Sequence, residues 1–159
     1  MKNQTKVERK SERELVASRI INGPSRLVFE AWTKPELFKK WWVPKSAPMT
    51  LVSCEMEVCT GGEYRLVFSV GSQSMEFFGK YLEVTPYSRI VWTNDEGGED
   101  AAAITTVTFE EIDGTTLLTV HDLYPSKEAL DAAIASGETG GMPEQLEQLD
   151  QFIVYQRNL

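Results

Sequence analysis

His121 is the one histidine of the chain. With Asp122 beside it and Tyr124 close by, it has the residue types of a general base near physiological pH. The spacing argues against that use. Adjacent residues of a strand point to opposite faces, so Asp122 cannot orient His121 in the usual way, and His121 reads as a surface or hydrogen-bonded side chain. A single histidine leaves no multi-histidine zinc site, and Cys54 and Cys59 lack metal-ligand spacing. On one strand those two cysteines would face opposite sides and could not meet in a disulfide. Asn94-Asp95-Glu96-Gly97-Gly98-Glu99-Asp100 has the composition of a calcium loop without its alternating ligand order, and reads as a solvated hairpin loop. The chain also lacks G-x-G-x-x-G, a phosphate loop, G-x-S-x-G and C-x-x-C. No metal or cofactor is expected, and no residues are assigned as catalytic.

Apolar chemistry is better supplied, by four Trp, five Tyr and seven Phe. Trp32, Phe38, Trp41 and Trp42 fall on two short helical stretches, and Trp92 on a strand. Period-2 alternation places Tyr64, Leu66 and Phe68 on one face of their strand. It aligns Thr105 with Val107 and Phe109 in the same way, and Asp122 with Leu118 and Val120. The strand at 74–84 is bulky on both sides, with Met75, Phe77 and Tyr81 against Phe78 and Leu82; its inner face is ambiguous, and Phe78 is taken as inward. Met142, Leu146, Leu149, Phe152 and Ile153 form a helical stripe, with Glu144, Glu147, Gln148, Asp150 and Gln151 facing away. Trp32, Phe38, Trp41, Trp42, Tyr64, Leu66, Phe68, Phe78, Trp92, Val107, Phe109, Leu118, Val120, Met142, Leu146 and Leu149 are therefore the expected lining of a ligand cavity. The plainer alternative is that these side chains only fill the core.

The elements that position them follow in order. Glu14–Asn22 reads as a strand, ended by Gly23-Pro24. A helix carrying Leu27, Val28, Ala31 and Trp32 follows, then a second starting at Lys34-Pro35, where Thr33 and Glu36 have capping-box spacing. Six strands come next, at Thr50–Val58, Gly62–Val70, Ser74–Val84, Arg89–Asn94, Ala102–Glu110 and Thr115–Asp122, joined by short turns that imply antiparallel pairing. Ser126 can cap a helix over Lys127–Ser136 closed by Gly137, and a last helix runs from Pro143 to Arg157. One antiparallel sheet must bury an apolar face, and the terminal helix is the available cover. The expectation is an α+β helix-grip fold: a curved sheet of about seven strands, two short helices after the first, and a long C-terminal helix across it. Residues 1–13 read as a solvated, flexible arm and 14–159 as a single domain.

The chain has 159 residues, 42% of them apolar, and a net charge of −8. That charge, without a basic stripe, argues against nucleic acid as a partner. No stretch reaches the 18 apolar residues of a membrane span, no signal-type segment is present, and a cytoplasmic location is expected.

Several stretches resemble a known family. "SRIINGPSRLVFEAWTKPELFKKWW" resembles the opening of the activator of heat-shock-protein-90 ATPase homologue-like family, of the START/polyketide-cyclase-like (SRPBCC) superfamily; Arg19, Val28, Phe29, Ala31, Trp32, Thr33, Pro35, Trp41 and Trp42 sit on its pattern. Gly61-Gly62 with Tyr64 and Phe68, Gly79 with Glu83 and Pro86, and "SGETGGMPEQLEQLDQF" resemble further family segments. Glu57-Val58-Cys59-Thr60 departs from the Asp-x-Arg-Pro often found before the double glycine. The resemblance implies the helix-grip fold with a cavity for hydrophobic compounds. Three functions stay open. The first is a binding domain for a hydrophobic or aromatic small molecule. The second is a small cyclase- or hydrolase-type enzyme using His121, Tyr64, Tyr81 or Asp122. The third is a chaperone ATPase-activating interaction domain. Homodimerisation is also left open.

Overall fold

The computed structural model describes residues 4–94, 103–136 and 139–158; the acidic 95–100 loop and Gly137 lie outside them. Its eight strands are β1 (Lys6–Arg9), β2 (Glu14–Ile21), β3 (Thr50–Met56), β4 (Glu63–Val70), β5 (Gln73–Thr85), β6 (Arg89–Asn94), β7 (Ala103–Ile112) and β8 (Thr115–Leu123). All pair antiparallel in the order β1-β2-β8-β7-β6-β5-β4-β3, so the described sheet is open, with β1 and β3 at its edges. Between β2 and β3 come α1 (Ser25–Thr33) and α2 (Pro35–Phe38); after β8 come α3 (Lys127–Ala135) and α4 (Met142–Arg157). The fold is the expected α+β arrangement, with one strand more than about seven.

That extra strand is β1, where the sequence suggested a solvated arm. Lys6–Arg9 are all exposed, so no apolar pattern marks them. Their backbone pairs with Leu15–Ser18, Val7 lies opposite Ala17, and Arg9 forms a 2.7 Å ion pair with Asp131. Edge pairing needs only backbone groups and one inward side chain per pleat, which a charged segment can supply.

Register shifts between Leu51 and Ser53 and between Tyr81 and Glu83 are the kind of irregularity that bends a sheet. The concave face carries Ala17 and Ile21 of β2, Leu118 and Val120 of β8, Val107 and Phe109 of β7, Ile90 of β6, and Leu66 and Phe68 of β4, all buried in one core. Leu146, Leu149 and Ile153 of α4 close over it with no exposed surface. Three fully buried aliphatic side chains supply roughly 1.5–3 kcal/mol each, which is why a helix of weak amphipathic contrast docks firmly.

Two local expectations are corrected. The Thr33/Glu36 capping box does not form: Thr33 ends α1, its hydroxyl donates to the Phe29 carbonyl at 2.9 Å, and α2 starts at Pro35 with Lys34 as its N-cap residue and no side-chain cap. Asp150 does not face away from the core; it is buried, 6% exposed. Gln148, also placed outward, reaches back to the Trp41 and Val43 carbonyls at 2.9 Å each. The Ser126 cap forms as expected, its hydroxyl accepting from the Ala129 amide at 3.0 Å.

Candidate functional site

α2 stops at Phe38, and the turn beyond it folds Trp41 and Trp42 back under α1. Trp32 lies 4.8 Å from Trp41 and 5.8 Å from both Trp42 and Trp92, centre to centre, while Phe38 stacks on Trp42 at 4.7 Å. Four indoles therefore meet where α1, the α2 turn and β6 converge. Their polar atoms differ. Trp41 Nε1 donates to the Ala31 carbonyl at 3.0 Å, whereas Trp32 Nε1, on a ring only 3% exposed, is buried without a partner. A buried donor with no acceptor costs about 1–3 kcal/mol, so structures rarely keep one.

A polar row crosses the concave face beside Trp92. Tyr64 donates to the Thr93 carbonyl at 2.8 Å and lies 3.4 Å from Asn94 Oδ1. The Asn94 amide donates to Thr105 Oγ1 at 3.0 Å, and the Thr105 hydroxyl donates to Asp122 Oδ1 at 2.6 Å. Gly79 makes room for this: a Cβ there would sit 1.9 Å from the Thr93 oxygen and 2.7 Å from the Tyr64 ring. Below the row, burial pushes the Cys54 thiol up to about 11 and the Tyr81 hydroxyl well above its ordinary value. Both stay neutral, as fits a dry apolar interior.

The row ends at a pocket of about 80 Å³ beneath the first turn of α4. Leu15 and Ala17 of β2, Val7 of β1, Asp122 and Tyr124, and Thr139, Met142 and Gln145 line it. The volume suits a few waters or one small chemical group, well below the ~300–1,000 Å³ of a typical ligand pocket. A broader groove of about 730 Å³ lies over β3–β5, and Glu55, Glu57, Glu63, Glu76, Arg65 and Lys80 are among its lining residues. Arg65 and Glu76 pair there at 2.7 Å.

Fifteen of the sixteen residues expected to line a cavity belong to the core or pack against it. They meet largely by filling space against one another: the tryptophans, Phe38, Phe68 with Phe77, and Tyr64 with Tyr81 are all in ring contact. Phe78 is the exception. It is 42% exposed and lines the outer groove, because β4–β5 register sets Phe77 opposite inward Leu66 and Phe78 opposite outward Arg65. The four residues named for acid–base chemistry do not converge. His121 points to the convex side and contacts Glu14 at 2.7 Å, holding that carboxyl below its usual range. Tyr64 and Asp122 sit at opposite ends of the polar row.

The sequence reading missed one constellation, Arg19–Asp150–Asn22. Arg19 and Asp150, with side chains 9% and 8% exposed, pair at 3.1 Å. Asn22 donates its backbone and side-chain N–H groups to Asp150 at 2.9 and 3.2 Å. This ties α4 to β2. The signal was present in the spacing, since Asp150 falls on the 146–149–150–153 stripe and Arg19 lies between inward Ala17 and Ile21.

The structure superposes on a Nitrosomonas europaea protein with a TM-score of 0.84 at 23% identity, covering 95% of this chain and 100% of that one. A Rhodobacter sphaeroides protein matches with a TM-score of 0.85 at 21% identity, over 96% and 99% of the two chains. An AHSA1-like protein from Aeromonas hydrophila matches with a TM-score of 0.66 at 17% identity, over 88% and 92%. At these identities the likeness shows the fold alone. No curated protein matches the chain. Among the described residues no helix is long and apolar enough to cross a membrane. The sequence itself matches the model of the "Activator of Hsp90 ATPase homolog 1-like protein" family over residues 22–153, and the chain belongs to that family.

Proposed function

We propose that the protein binds a hydrophobic or aromatic small molecule between the concave face of the sheet and α4, with Trp32, Trp42, Trp92, Tyr64 and Met142 around its apolar body. The observation that carries this is the Trp32 indole N–H, buried and unpartnered inside an aromatic cluster whose neighbour Trp41 is fully bonded. An apolar surround with a few placed polar groups is the usual composition of a ligand site. A ligand carbonyl or hydroxyl oxygen accepting from Trp32 would give this buried donor its hydrogen bond. The body enters as the Trp41–Pro44 turn separates from α4, where Gln145 and Gln148 bridge the two elements. We place this activity in the cytoplasm, in keeping with Cys54 and Cys59 both being free thiols.

Native mass spectrometry and tryptophan fluorescence with 2-acetylnaphthalene, 2-naphthalenemethanol and dodecanol test the reading. A one-to-one adduct and a saturable change in tryptophan emission are expected. Absence of any adduct with all three at millimolar concentration would overturn it.

A further inference from the structure

We infer that this site selects uncharged carbonyl compounds (ketones, esters and amides) over hydrocarbons and carboxylates of the same shape, with Trp32 as the residue that sets the preference; this rests on the binding reading above. The chemistry of the indole is the first reason. Its Nε1 carries an N–H and can only donate, and among the described residues nothing accepts from it. Trp41, 4.8 Å away, has no N–H to spare, because its own is bonded to the Ala31 carbonyl at 3.0 Å. A hydrocarbon lodged in the cluster would leave the Trp32 donor bare, whereas a carbonyl oxygen satisfies it and brings no donor of its own. A hydroxyl accepts as well, but it adds an O–H that needs a second partner in the same apolar surround.

The medium is the second reason. Tyr81 of β5 lies opposite Trp92 of β6 in the strand register, and Trp92 lies 5.8 Å from Trp32, so the three rings share one stretch of the core. Burial there holds the Tyr81 hydroxyl protonated well above its ordinary range and lifts the nearby Cys54 thiol to about 11. An anion is therefore the disfavoured form of a group lodged beside them. Magnitudes set the order. One hydrogen bond from a buried donor to a neutral acceptor is worth about ten-fold in affinity, while taking an unpaired carboxylate out of water costs on the order of a thousand-fold. The bond from Trp32 does not offset that, and Arg19, buried between β2 and α4, is already paired with Asp150 at 3.1 Å.

The test uses one naphthalene body with four heads: 2-acetylnaphthalene, its hydrocarbon isostere 2-isopropenylnaphthalene, 1-(2-naphthyl)ethanol and 2-naphthoic acid, each titrated into the full chain by isothermal calorimetry. At pH 7.5 the ketone is expected to bind about ten-fold more tightly than the hydrocarbon and at least about a hundred-fold more tightly than the acid, the alcohol falling between ketone and hydrocarbon. The acid enters in its neutral form, so its affinity should rise about ten-fold for each unit as pH falls from 7.5 to 5.5, while that of the ketone moves less than about two-fold. Trp32→Phe keeps an aromatic ring and removes the donor; it should bring the ketone down to the level of the hydrocarbon. If the hydrocarbon binds as tightly as the ketone, the affinity of the acid is flat with pH, or Trp32→Phe keeps the ketone preference, the selection is overturned and the binding reading stands. The first two comparisons use the wild type alone and decide the matter whether or not the variant folds. If none of the four binds, the binding reading falls, and the selection with it.

Discussion

Replacing Arg19 by Met keeps a side chain of similar length and removes the guanidinium. Asp150 then loses two contacts to its Oδ2, at 3.1 and 3.4 Å, and keeps the Asn22 donors at 2.9–3.3 Å. Removing one partner of a buried ion pair typically destabilises by about 3–5 kcal/mol, because the remaining charge is stranded away from water. The Asn22 donors offset part of that, which puts Arg19→Met at about 3 kcal/mol. For a domain of this size that corresponds to about 6–12 °C in melting temperature. Arg19→Met/Asp150→Asn removes the stranded charge while keeping an acceptor for the Asn22 amide, and should recover at least half of the loss. Urea denaturation of the wild type, both single variants and the double variant supplies the full cycle. A loss below about 1 kcal/mol in Arg19→Met, or a double variant no more stable than Arg19→Met, would refute the claim that this pair clamps α4 to β2.

Three further outcomes follow from the same contacts. Gly79→Ala would drive a methyl into the Thr93 carbonyl and the Tyr64 ring, so a loss of about 1–3 kcal/mol or more is expected by urea denaturation, against little change at the open turn position Gly71 when replaced by Asn. Gln148→Ala removes two bonds to the Trp41 and Val43 carbonyls and the one its side-chain oxygen accepts from the Lys45 amide at 2.8 Å; it should lower stability by about 1 kcal/mol and raise the association rate of 2-naphthalenemethanol in stopped flow. The Cys54 thiol is raised from 9.0 to about 11 in the folded protein, so its contribution is complete below pH 9 and is lost as pH climbs toward 11. Melting temperature should therefore fall from pH 9 upward in the wild type, and in Cys54→Ala only from pH 10, where Tyr81, also raised by burial, begins to act.

Period-2 alternation was enough to place Tyr64, Leu66 and Phe68, and likewise Thr105 and Asp122, on the concave side, because each of those strands has one apolar and one polar face. It failed at Phe78, where β5 is bulky on both sides and only pairing with β4 breaks the tie. Asp150 was misplaced for a different reason. A carboxylate in a helical stripe is normally solvated, and the cation that permits its burial lies 131 residues away on β2. β1 escaped notice because an edge strand held by backbone pairing needs no apolar pattern. The orphan Trp32 donor has no sequence signature at all; it depends on which carbonyl each indole of the cluster happens to reach, and Trp41 takes that of Ala31.

The most direct measurement is the set of four indole Nε1–H resonances in a ¹H–¹⁵N NMR spectrum, assigned by single Trp→Phe variants, recorded with and without saturating 2-acetylnaphthalene. The Trp32 resonance should move strongly downfield as its N–H gains an acceptor, while that of Trp41, already bonded, stays near its place. Saturated binding with the Trp32 resonance unmoved would contradict the assignment of this buried donor as the anchor of the site.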